Sequence, residues 1–354
     1  MSENVRIAVA GAGLIGKRHA NALLAAQDVD LACIVDPSEQ GRDLAQQGGI
    51  TWFSSLSEMF DRSSVDGVIL ATPNQIHAEG ALECIDRNCP VLIEKPICSK
   101  VADAEKLVAA AKVAGVPVLT GHHRRHNGLV QKAKSIIDTG SLGTIISVQG
   151  TCWFLKPDDY FDVEWRRKPG AGPVFLNLIH DIDLIRHFCG DVASVHALES
   201  NIVRGNEVEE TAVIMLRFVS GALGTINVSD TVVAPWSWEL TARENPAYPA
   251  TSESCYLIGG THGSLSLPNL TLWHNEGQRS WWNPLSGTKI PFDFEDPLVA
   301  QALQFAAVIR GEEEPLVSGE EGLKTLRVVE AVKYSAATGE TVSFATNHEH
   351  NRPG

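Results

Sequence analysis

The sequence predicts an α/β protein with an N-terminal, doubly wound parallel sheet and a second α+β domain built on a large, mostly antiparallel open sheet. Short apolar strands alternate with helices through the first third of the chain, a pattern typical of parallel sheets. After Gly121 one more helix precedes a run of strands, and Val219-Ser220-Gly221 between two of them indicates a hairpin.

The first domain is predicted over residues 1–123. Its apolar strands and periodic helices are predicted, in order, as strand 7–10, helix 17–27, strand 31–35, strand 68–71, helix 77–87, strand 91–93, helix 102–114 and strand 118–120. The helix at 102–114 shows apolar residues at helical spacing, among them Ala104, Leu107 and Ala111.

The second domain is predicted over residues 124–346, and residues 347–354 are predicted to be a disordered tail. After a helix at 129–138 that stops at Gly140, strands are predicted at 145–154, 193–199, 211–218, 222–228, 238–242, 255–258 and 264–267. Two helices follow, at 297–310 and from Ser318, where Glu321 three residues later forms a capping box.

Composition narrows the class of protein. The chain has 354 residues, a length that favours two domains, and its formal net charge of −14 argues against a nucleic-acid partner. No apolar run approaches the ~20 residues of a membrane span. Because Met1–Asn4 has no basic region of a secretory signal, we expect a cytoplasmic protein. Seven scattered cysteines indicate neither a disulfide framework nor a zinc site.

A glycine-rich turn between the first strand and the first helix carries the strongest signal. Gly11 allows a tight turn, Gly13 leaves room for a pyrophosphate, and Gly16 allows the helix to pack closely on the sheet. The helix N-terminus, with Leu14 and Ile15, then faces the phosphates. This pattern predicts a dinucleotide site.

Asp36 ends the second strand, twenty residues beyond Gly16, where a carboxylate can bond both ribose hydroxyls of an adenosine. A 2′-phosphate would be repelled there, and the following residues 37–39 include no arginine to receive it. The sequence therefore favours NAD over NADP.

Ligands of open parallel sheets bind beyond the carboxyl ends of the strands. The residues at those ends are Thr72, Pro73, Asn74, Glu94, Lys95 and the segment 122–126, which includes His123. Lys95, held by Pro96, is placed to hydrogen-bond a substrate hydroxyl and stabilise a developing alkoxide. The alternative is a lysine paired with Glu94 in an ordinary turn.

A second cluster lies at 170–183, where a glycine-rich loop leads into a helix. Asn177, His180 and Asp183 follow at intervals of three and form a shallow arc beside an apolar stripe. A histidine there could take a hydroxyl proton. The alternative is a core histidine with a surface aspartate. The three histidines at 122–126 do not predict a metal, because two arginines lie between them.

With these residues placed, the chain resembles the Gfo/Idh/MocA oxidoreductase family over almost its whole length. The matching segments are Gly11–Gly16, residues 71–74 with His77, Glu94-Lys95-Pro96, and Gly170–Asp183. The resemblance implies a Rossmann domain and a C-terminal domain whose open sheet commonly forms the subunit interface, and so a homo-oligomer. It also implies that the bond before Pro96 is cis.

The resemblance also implies residue roles. Lys95 corresponds to the catalytic lysine, His180 to the catalytic histidine, and Asn74 to a residue near the nicotinamide ribose. Inositol dehydrogenases of the family usually have an aspartate four residues before that histidine, where this chain has Leu176. This departure weakens the case for an inositol substrate. Asp183 is then the candidate partner of the histidine.

These observations predict an NAD-dependent dehydrogenase that oxidises a secondary or anomeric hydroxyl of a sugar, polyol or related small molecule. The substrate-binding residues are expected to be Asn177, Asp183, Trp165, Arg166 and His123. The cofactor-binding residues are expected to be Gly11, Gly13, Leu14, Ile15, Gly16, Asp36, Thr72, Pro73, Asn74, His77, Glu94 and Lys95. Two alternatives stay open: an enzyme that recycles bound NAD during epimerisation or elimination, and a non-catalytic cofactor sensor.

Overall fold

A computed structural model describes residues 4–344, so the predicted tail at 347–354 lies outside the described residues. The chain divides into two compact units. The first ends at Asn127 and also includes Glu295–Leu326, and the second holds Gly128–Phe294 and resumes at Arg327. Among the described residues, no helix is both long enough and apolar enough to cross a membrane.

The strands and helices are named here in chain order. The strands are β1 (Val5–Ala10), β2 (Val29–Val35), β3 (Thr51–Phe53), β4 (Gly67–Leu70), β5 (Val91–Glu94), β6 (Val118–Gly121), β7 (Ile145–Trp153), β8 (Val192–Ser200), β9 (Thr211–Phe218), β10 (Leu223–Ser229), β11 (Tyr256–Gly260), β12 (Gly263–Leu267), β13 (Thr271–Asn275), β14 (Leu285–Lys289) and β15 (Val342–Ser343). The helices are α1 (Leu14–Ala25), α2 (Glu39–Gly48), α3 (Leu56–Arg62), α4 (His77–Asp86), α5 (Val101–Ala114), α6 (Gly128–Asp138), α7 (Ile179–Cys189), α8 (Trp238–Thr241), α9 (Pro297–Ile309) and α10 (Gly319–Thr338).

The first unit contains a six-stranded, parallel sheet in the order β3-β2-β1-β4-β5-β6. Alternate residues of β1 enter two different cores: Ile7 and Val9 lie in one, and Ala8 and Ala10 in the other. Helices therefore cover both faces, which confirms the predicted doubly wound sheet. The strand order reverses between β1 and β4, and ligands of such sheets bind at this reversal.

Residues 295–326 differ from the expected arrangement, because the sequence analysis assigned them to the second domain. Phe305 and Ala306 of α9 are buried with Ile7 and Leu23 in one core of the first unit. On the other side of the sheet, Leu323 of α10 is buried with the strands. The chain thus returns to the first unit, which a sequence pattern read in order does not reveal.

Three elements of the first unit were not predicted, namely α2, β3 and α3. In α2 only Gly41 and Ala45 are buried, and the helix contains few apolar residues that could have predicted it. Its ends are nonetheless well capped, by the Ser38 side chain at the N-terminus and by Gly49, in the left-handed conformation, at the C-terminus.

The second unit contains a nine-stranded sheet in the order β14-β13-β12-β11-β7-β10-β9-β8-β15. All neighbours are antiparallel except β7 and β10, which run parallel. The prediction of a large, mostly antiparallel sheet is therefore confirmed. The hairpin at residues 219–221 is also present, with Gly221 at a φ of +89°.

The two faces of this sheet differ. In β9, Ala212, Ile214 and Leu216 point into the core that α6, α7 and the end of α10 cover, as shown by their burial with Leu129, Ile182 and Val329. Val213 and Met215 lie on the opposite face and are exposed. Along β9 the sheet is therefore apolar on both faces, and within residues 4–344 one of these faces is buried and the other is exposed.

The predicted strand at 238–242 is wrong, because this segment forms the short helix α8. The Ser237 hydroxyl accepts a hydrogen bond from the Leu240 N–H at 3.3 Å, which starts a helical turn. Trp238 is buried and stacks on Tyr256, with ring centroids 5.7 Å apart. Tertiary packing of the tryptophan and the local cap outweigh the strand propensity of the aromatic residue.

All seven cysteines are buried as small core residues, and this burial predicts inert thiols. Burial raises the pKa of Cys33, Cys89, Cys98 and Cys189 to about 12. At pH 8 about one such thiol in ten thousand is then ionised. We expect no thiol to react with 5,5′-dithiobis(2-nitrobenzoic acid) in the folded protein, and all seven to react in urea. Labelling of the folded protein within the mixing time would contradict this.

Candidate active site

The glycine turn between β1 and α1 is tightly packed at two of its three glycines. Gly11 has a φ of +99°, and a Cβ there would lie 2.4 Å from the Ala71 carbonyl oxygen. A Cβ on Gly16 would lie 1.9 Å from the Gly11 oxygen. Both positions need glycine because of the fold itself.

Gly13 differs from the other two glycines. Its φ of −68° suits any residue, and a Cβ there would meet nothing within 4 Å. Gly13 caps the N-terminus of α1 without a side-chain hydrogen bond, and neighbouring Leu14 is 90% exposed. The free N–H groups of α1 therefore face open space that a pyrophosphate fits.

Asp36 follows β2 and lies beside this turn. Its Oδ2 accepts a hydrogen bond from the Ala12 N–H at 2.7 Å, and its Oδ1 accepts bonds from the Ser38 N–H and hydroxyl. The Trp52 indole N–H donates to the Asp36 carbonyl oxygen at 2.9 Å. The carboxylate is thus held at the edge of the turn.

His77 joins the turns that follow β4 and β5. Its ring is fully buried, with Nδ1 2.9 Å from the Pro96 carbonyl oxygen and Nε2 2.9 Å from the Thr72 carbonyl oxygen. Burial lowers the pKa of His77, although both carbonyl contacts oppose this shift. In the turn that follows β4, Pro73 and Asn74 are exposed.

Glu94 is buried at the end of β5 and pairs with a residue that the sequence analysis missed, His19 of α1. The His19 Nε2 lies 2.7 Å from the Glu94 Oε1, and the Lys95 N–H donates to the other oxygen at 3.0 Å. Burial would raise the pKa of Glu94. The hydrogen bond from His19 and the charges of His19, His123 and Lys95 outweigh burial and lower that pKa to about 2.

The position of His19 in the sequence could have marked it as a residue of the site. It follows Gly16 by three residues, so it lies one helical turn further along α1. A histidine that is only 1% exposed needs a polar partner, and Glu94 is that partner. The glycine turn and the turn at Lys95 are thereby tied together through one hydrogen bond.

Lys95 and His123 complete the first group of predicted residues. Lys95 is half-buried, and its bond to Pro96 is cis. His123 begins a buried 3-10 helix, His123–His126, that follows β6, the strand beside β5. In the same turn the Arg125 Nη2 lies 3.1 Å from the Glu321 Oε2. The carboxyl ends of β5 and β6 therefore gather the basic residues that the sequence analysis placed there.

The second group lies in the second unit, around α7. The backbone forms one π-helical turn over Val174–Leu178 before α7 begins. The expected α-helical arc of Asn177, His180 and Asp183 is therefore interrupted in its first part. Single π-helical turns of this kind are frequent at functional sites.

The polar residues of this group are buried. Asp183 is 1% exposed, which contradicts the alternative of a surface aspartate, and His180 is 8% exposed. The Asn177 Oδ1 is buried and has no hydrogen-bond partner among the described residues. A buried amide oxygen without a donor is costly, so this oxygen has an unused capacity to accept a hydrogen bond.

Asp181 is a further buried acid that the sequence analysis did not select. It is fully buried, and the Tyr256 hydroxyl donates a hydrogen bond to its Oδ1. Trp238 stacks on that tyrosine and donates to the Glu244 carboxylate at 2.7 Å. Because Asp181 directly follows His180, its hydrogen bond to Tyr256 of β11 ties the start of α7 to the nine-stranded sheet.

Trp165 and Arg166 lie in a short 3-10 helix, Glu164–Arg167, of the second unit. The Arg166 guanidinium lies 4.1 Å from the centre of the Tyr160 ring and donates to the Tyr160 carbonyl oxygen at 2.8 Å. Trp165 is 54% exposed. The predicted residues thus form two groups, one in each unit. Among the described residues, no three metal-ligating side chains are arranged to hold a metal ion.

Comparison with known proteins identifies the family to which this fold belongs. Residues 5–122 match the oxidoreductase family with an NAD-binding Rossmann fold, and residues 130–266 match the GFO/IDH/MocA C-terminal domain. The chain is 26% identical to myo-inositol 2-dehydrogenase of Thermotoga maritima over 359 residues, 96% of this chain and 98% of the relative.

Two further relatives widen the range of chemistry. The chain is 27% identical to 2,7-anhydro-N-acetylneuraminate hydratase of Escherichia coli over 74% of this chain and 67% of the relative. It also resembles the crystal structure of the WlbA dehydrogenase from Bordetella pertussis in complex with NADH and UDP-GlcNAcA. That likeness has a TM-score of 0.77 and 27% identity, and it covers 97% of this chain and 100% of the other. The chain therefore belongs to the Gfo/Idh/MocA family of oxidoreductases, with an NAD-binding Rossmann domain.

Proposed function

We propose that this protein oxidises a secondary or anomeric hydroxyl of a sugar, polyol or related hydroxy compound with NAD. The observation that carries the proposal is the His19–Glu94 bond, which ties an open glycine turn to the turn that presents Lys95. Myo-inositol dehydrogenase and a dehydrogenase with a sugar-nucleotide ligand are among its relatives. The first unit would bind the cofactor, and the second would supply most substrate contacts.

The choice of NAD rests on Asp36. Its carboxylate is held beside the glycine turn, where it would accept hydrogen bonds from ribose hydroxyls and repel a 2′-phosphate. Arg42 is the basic residue of α2, and its guanidinium lies over the Trp52 ring at 5.6 Å. This stacking directs the arginine toward the tryptophan. The carboxylate thus dominates the ribose site.

Lys95 and His180 would divide the work of the reaction. When bound, NAD accepts the hydride from the carbon that is oxidised. His180 would take the proton of the substrate hydroxyl, and the Lys95 ammonium would hydrogen-bond the same oxygen and stabilise its developing negative charge. His77 and Glu94 would act by holding the turns at Thr72 and Lys95 in place, because both side chains are buried against backbone groups.

The remaining predicted residues would orient the substrate. The Asn177 Oδ1 would accept a hydroxyl hydrogen bond, and Asp183 would support His180. The exposed Trp165 ring and the Arg166 guanidinium suit a sugar face and a polar substituent. The exposed apolar face of the nine-stranded sheet, with Val213 and Met215, would form the contact of a homo-oligomer.

A second function is favoured by one relative. A hydratase shares 27% identity with this chain, and adding or removing water next to a hydroxyl carbon can proceed with NAD that is reduced and reoxidised in one turnover. The two functions differ in one observable. A dehydrogenase releases NADH in proportion to substrate, whereas an enzyme that recycles its cofactor does not. A cofactor sensor would turn over no substrate at all.

The test of the proposed function is a screen for NADH formation with sugars, polyols and sugar acids, followed by Lys95→Ala. We expect Lys95→Ala to lower kcat/KM at least ~30-fold, because loss of a group that stabilises the alkoxide costs at least ~2 kcal/mol of barrier. Lys106→Ala is the matched control, since Lys106 is an exposed lysine of α5. Activity of Lys95→Ala within threefold of the wild type would refute the lysine role.

The packing around Gly13 and Gly16 predicts that a substitution at the first affects cofactor binding and one at the second affects the stability of the fold. Gly13→Ala should leave the melting temperature unchanged, because the new methyl group meets nothing, yet weaken NAD binding at least tenfold, or ~1.4 kcal/mol. Gly16→Ala should lower the free energy of unfolding by about 1–3 kcal/mol, because its methyl group overlaps the Gly11 oxygen. Calorimetric titration and urea unfolding measure the two quantities. Equal NAD affinity of Gly13→Ala and wild type would contradict the proposed pyrophosphate site.

The pKa of Glu94 predicts how stability depends on acid. Because folding lowers this pKa from 4.5 to about 2, the pair stabilises the fold fully above pH 4.5 and progressively less as the pH falls toward 2. Urea unfolding of wild type and Glu94→Gln should therefore differ most near pH 6, and the difference should shrink below pH 4.5. In His19→Asn, which lacks the hydrogen bond that lowers this pKa, the stability lost between pH 6 and 3 should be smaller. A difference that is independent of pH between 6 and 3 would contradict the assignment.

A further inference from the structure

We propose that Glu209 is a positioning residue for the substrate: its carboxylate holds the turn at Gly172–Val174, from which the π-helical turn presents Asn177 and leads to His180. This inference rests on the proposed function, because it concerns how the second group of residues is aligned. Glu209 lies just before β9, outside every segment from which the sequence analysis predicted the site.

The first observation is where the carboxylate points. The Glu209 side chain is 1% exposed, and its Oε1 accepts a hydrogen bond from the Val174 N–H at 3.1 Å. Val174 is the first residue of the π-helical turn, so this N–H is one of those that a helix start leaves without an internal partner. A carboxylate at that end also interacts favourably with the helix dipole.

The second observation is that the same carboxylate fills the space beside Gly172. A Cβ on Gly172 would lie 2.0 Å from the Glu209 Oε1 and 2.3 Å from its carboxyl carbon. A side chain at 172 would therefore displace the Glu209 carboxylate from its place. The glycine at this position of the loop thus provides room for a buried acid.

The third observation is a countercharge. Lys333 of α10 forms ion pairs with Glu209 and, at 2.8 Å, with Glu199 of β8. Burial raises the pKa of Glu199, with the lysine opposing the shift and the charge of Glu209 adding to it. A buried carboxylate stays in place only if it is paired and hydrogen-bonded, and Lys333 with the Val174 N–H meets both needs. Glu209 is thus anchored to two elements of the second unit and can hold a loop.

Glu209 acts through other residues and has no chemical step of its own. Without its carboxylate, the turn at 172–174 would lose both its hydrogen-bond acceptor and the bulk that fills the space beside Gly172. The backbone before Asn177 could then adopt several conformations, and Asn177 and His180 would be misaligned with the substrate. Substrate use should suffer, whereas NAD binding, which depends on the first unit, should not.

The experiment is a double-mutant cycle of Glu209→Ala and Gly172→Ala. Each single variant should lower kcat/KM for the best substrate at least tenfold with the dissociation constant of NAD within twofold of the wild type. The double variant should be no worse than Glu209→Ala alone, because the new methyl group at 172 enters the space that the carboxylate leaves. Multiplied losses in the double variant would overturn the proposal, as would kcat/KM of Glu209→Ala within twofold of the wild type.

Matched controls separate this role from general loss of structure. Glu207→Ala removes an exposed carboxylate two residues away, whose partner is Lys168 at 2.6 Å, and should leave kcat/KM within twofold. Glu209→Gln keeps an oxygen that can accept the Val174 N–H, so it should retain more activity than Glu209→Ala. If Glu209→Ala fails to fold, Gly172→Ala alone carries the test, and its failure to lower kcat/KM then overturns the proposal.

A readout without substrate keeps the two proposals apart. In the holoenzyme with NAD, hydrogen exchange of the amides in residues 172–178 should be at least tenfold faster in Glu209→Ala than in the wild type or Glu207→Ala. Unchanged exchange would overturn the positioning role even if no substrate is found. Faster exchange together with an absence of turnover on every compound tested would support the role of Glu209 and count against the proposed dehydrogenase activity instead.

Discussion

The close packing of α1 against the end of β1 is the constraint on which the first unit depends. Gly11 and Gly16 have no room for a side chain, so helix and strand approach closely and the N-terminus of α1 opens at Gly13. The same approach brings His19 to Glu94. One packing arrangement thus leaves open space at the N-terminus of α1 and fixes the turn that presents Lys95, so the proposed cofactor-binding and catalytic groups of this unit depend on each other.

Buried polar side chains in both units hold backbone turns. His77 bridges two carbonyl oxygens, Glu94 receives the Lys95 N–H, and Glu209 receives the Val174 N–H. Burying such groups is costly unless each is hydrogen-bonded, so each also makes its turn adopt a single conformation. Loops that follow strands are otherwise free to vary, and these side chains restrict them where the chemistry needs exact geometry.

The face of the nine-stranded sheet that carries Val213 and Met215 is exposed in the single chain. Alternation along β9 sends Ile214 and Leu216 into the core and Val213 and Met215 to the other face. An apolar face of this kind is costly to leave in water, which is the physical ground for the homo-oligomer proposed above. The seven cysteines, in contrast to these exposed side chains, are all buried within the chain.

The sequence by itself determined the two sheets, most element bounds and the candidate residues Gly13, Asp36, Lys95 and His180, because strand–turn–helix patterns and turn residues act locally. Local pattern did not reveal the return of 295–326 to the first unit or the helix at Trp238. Tertiary structure alone decided these, and it also decided the partners His19 and Glu209. Each of those residues meets its partner across a long stretch of chain, so the pairing follows from burial and hydrogen bonding in the folded chain.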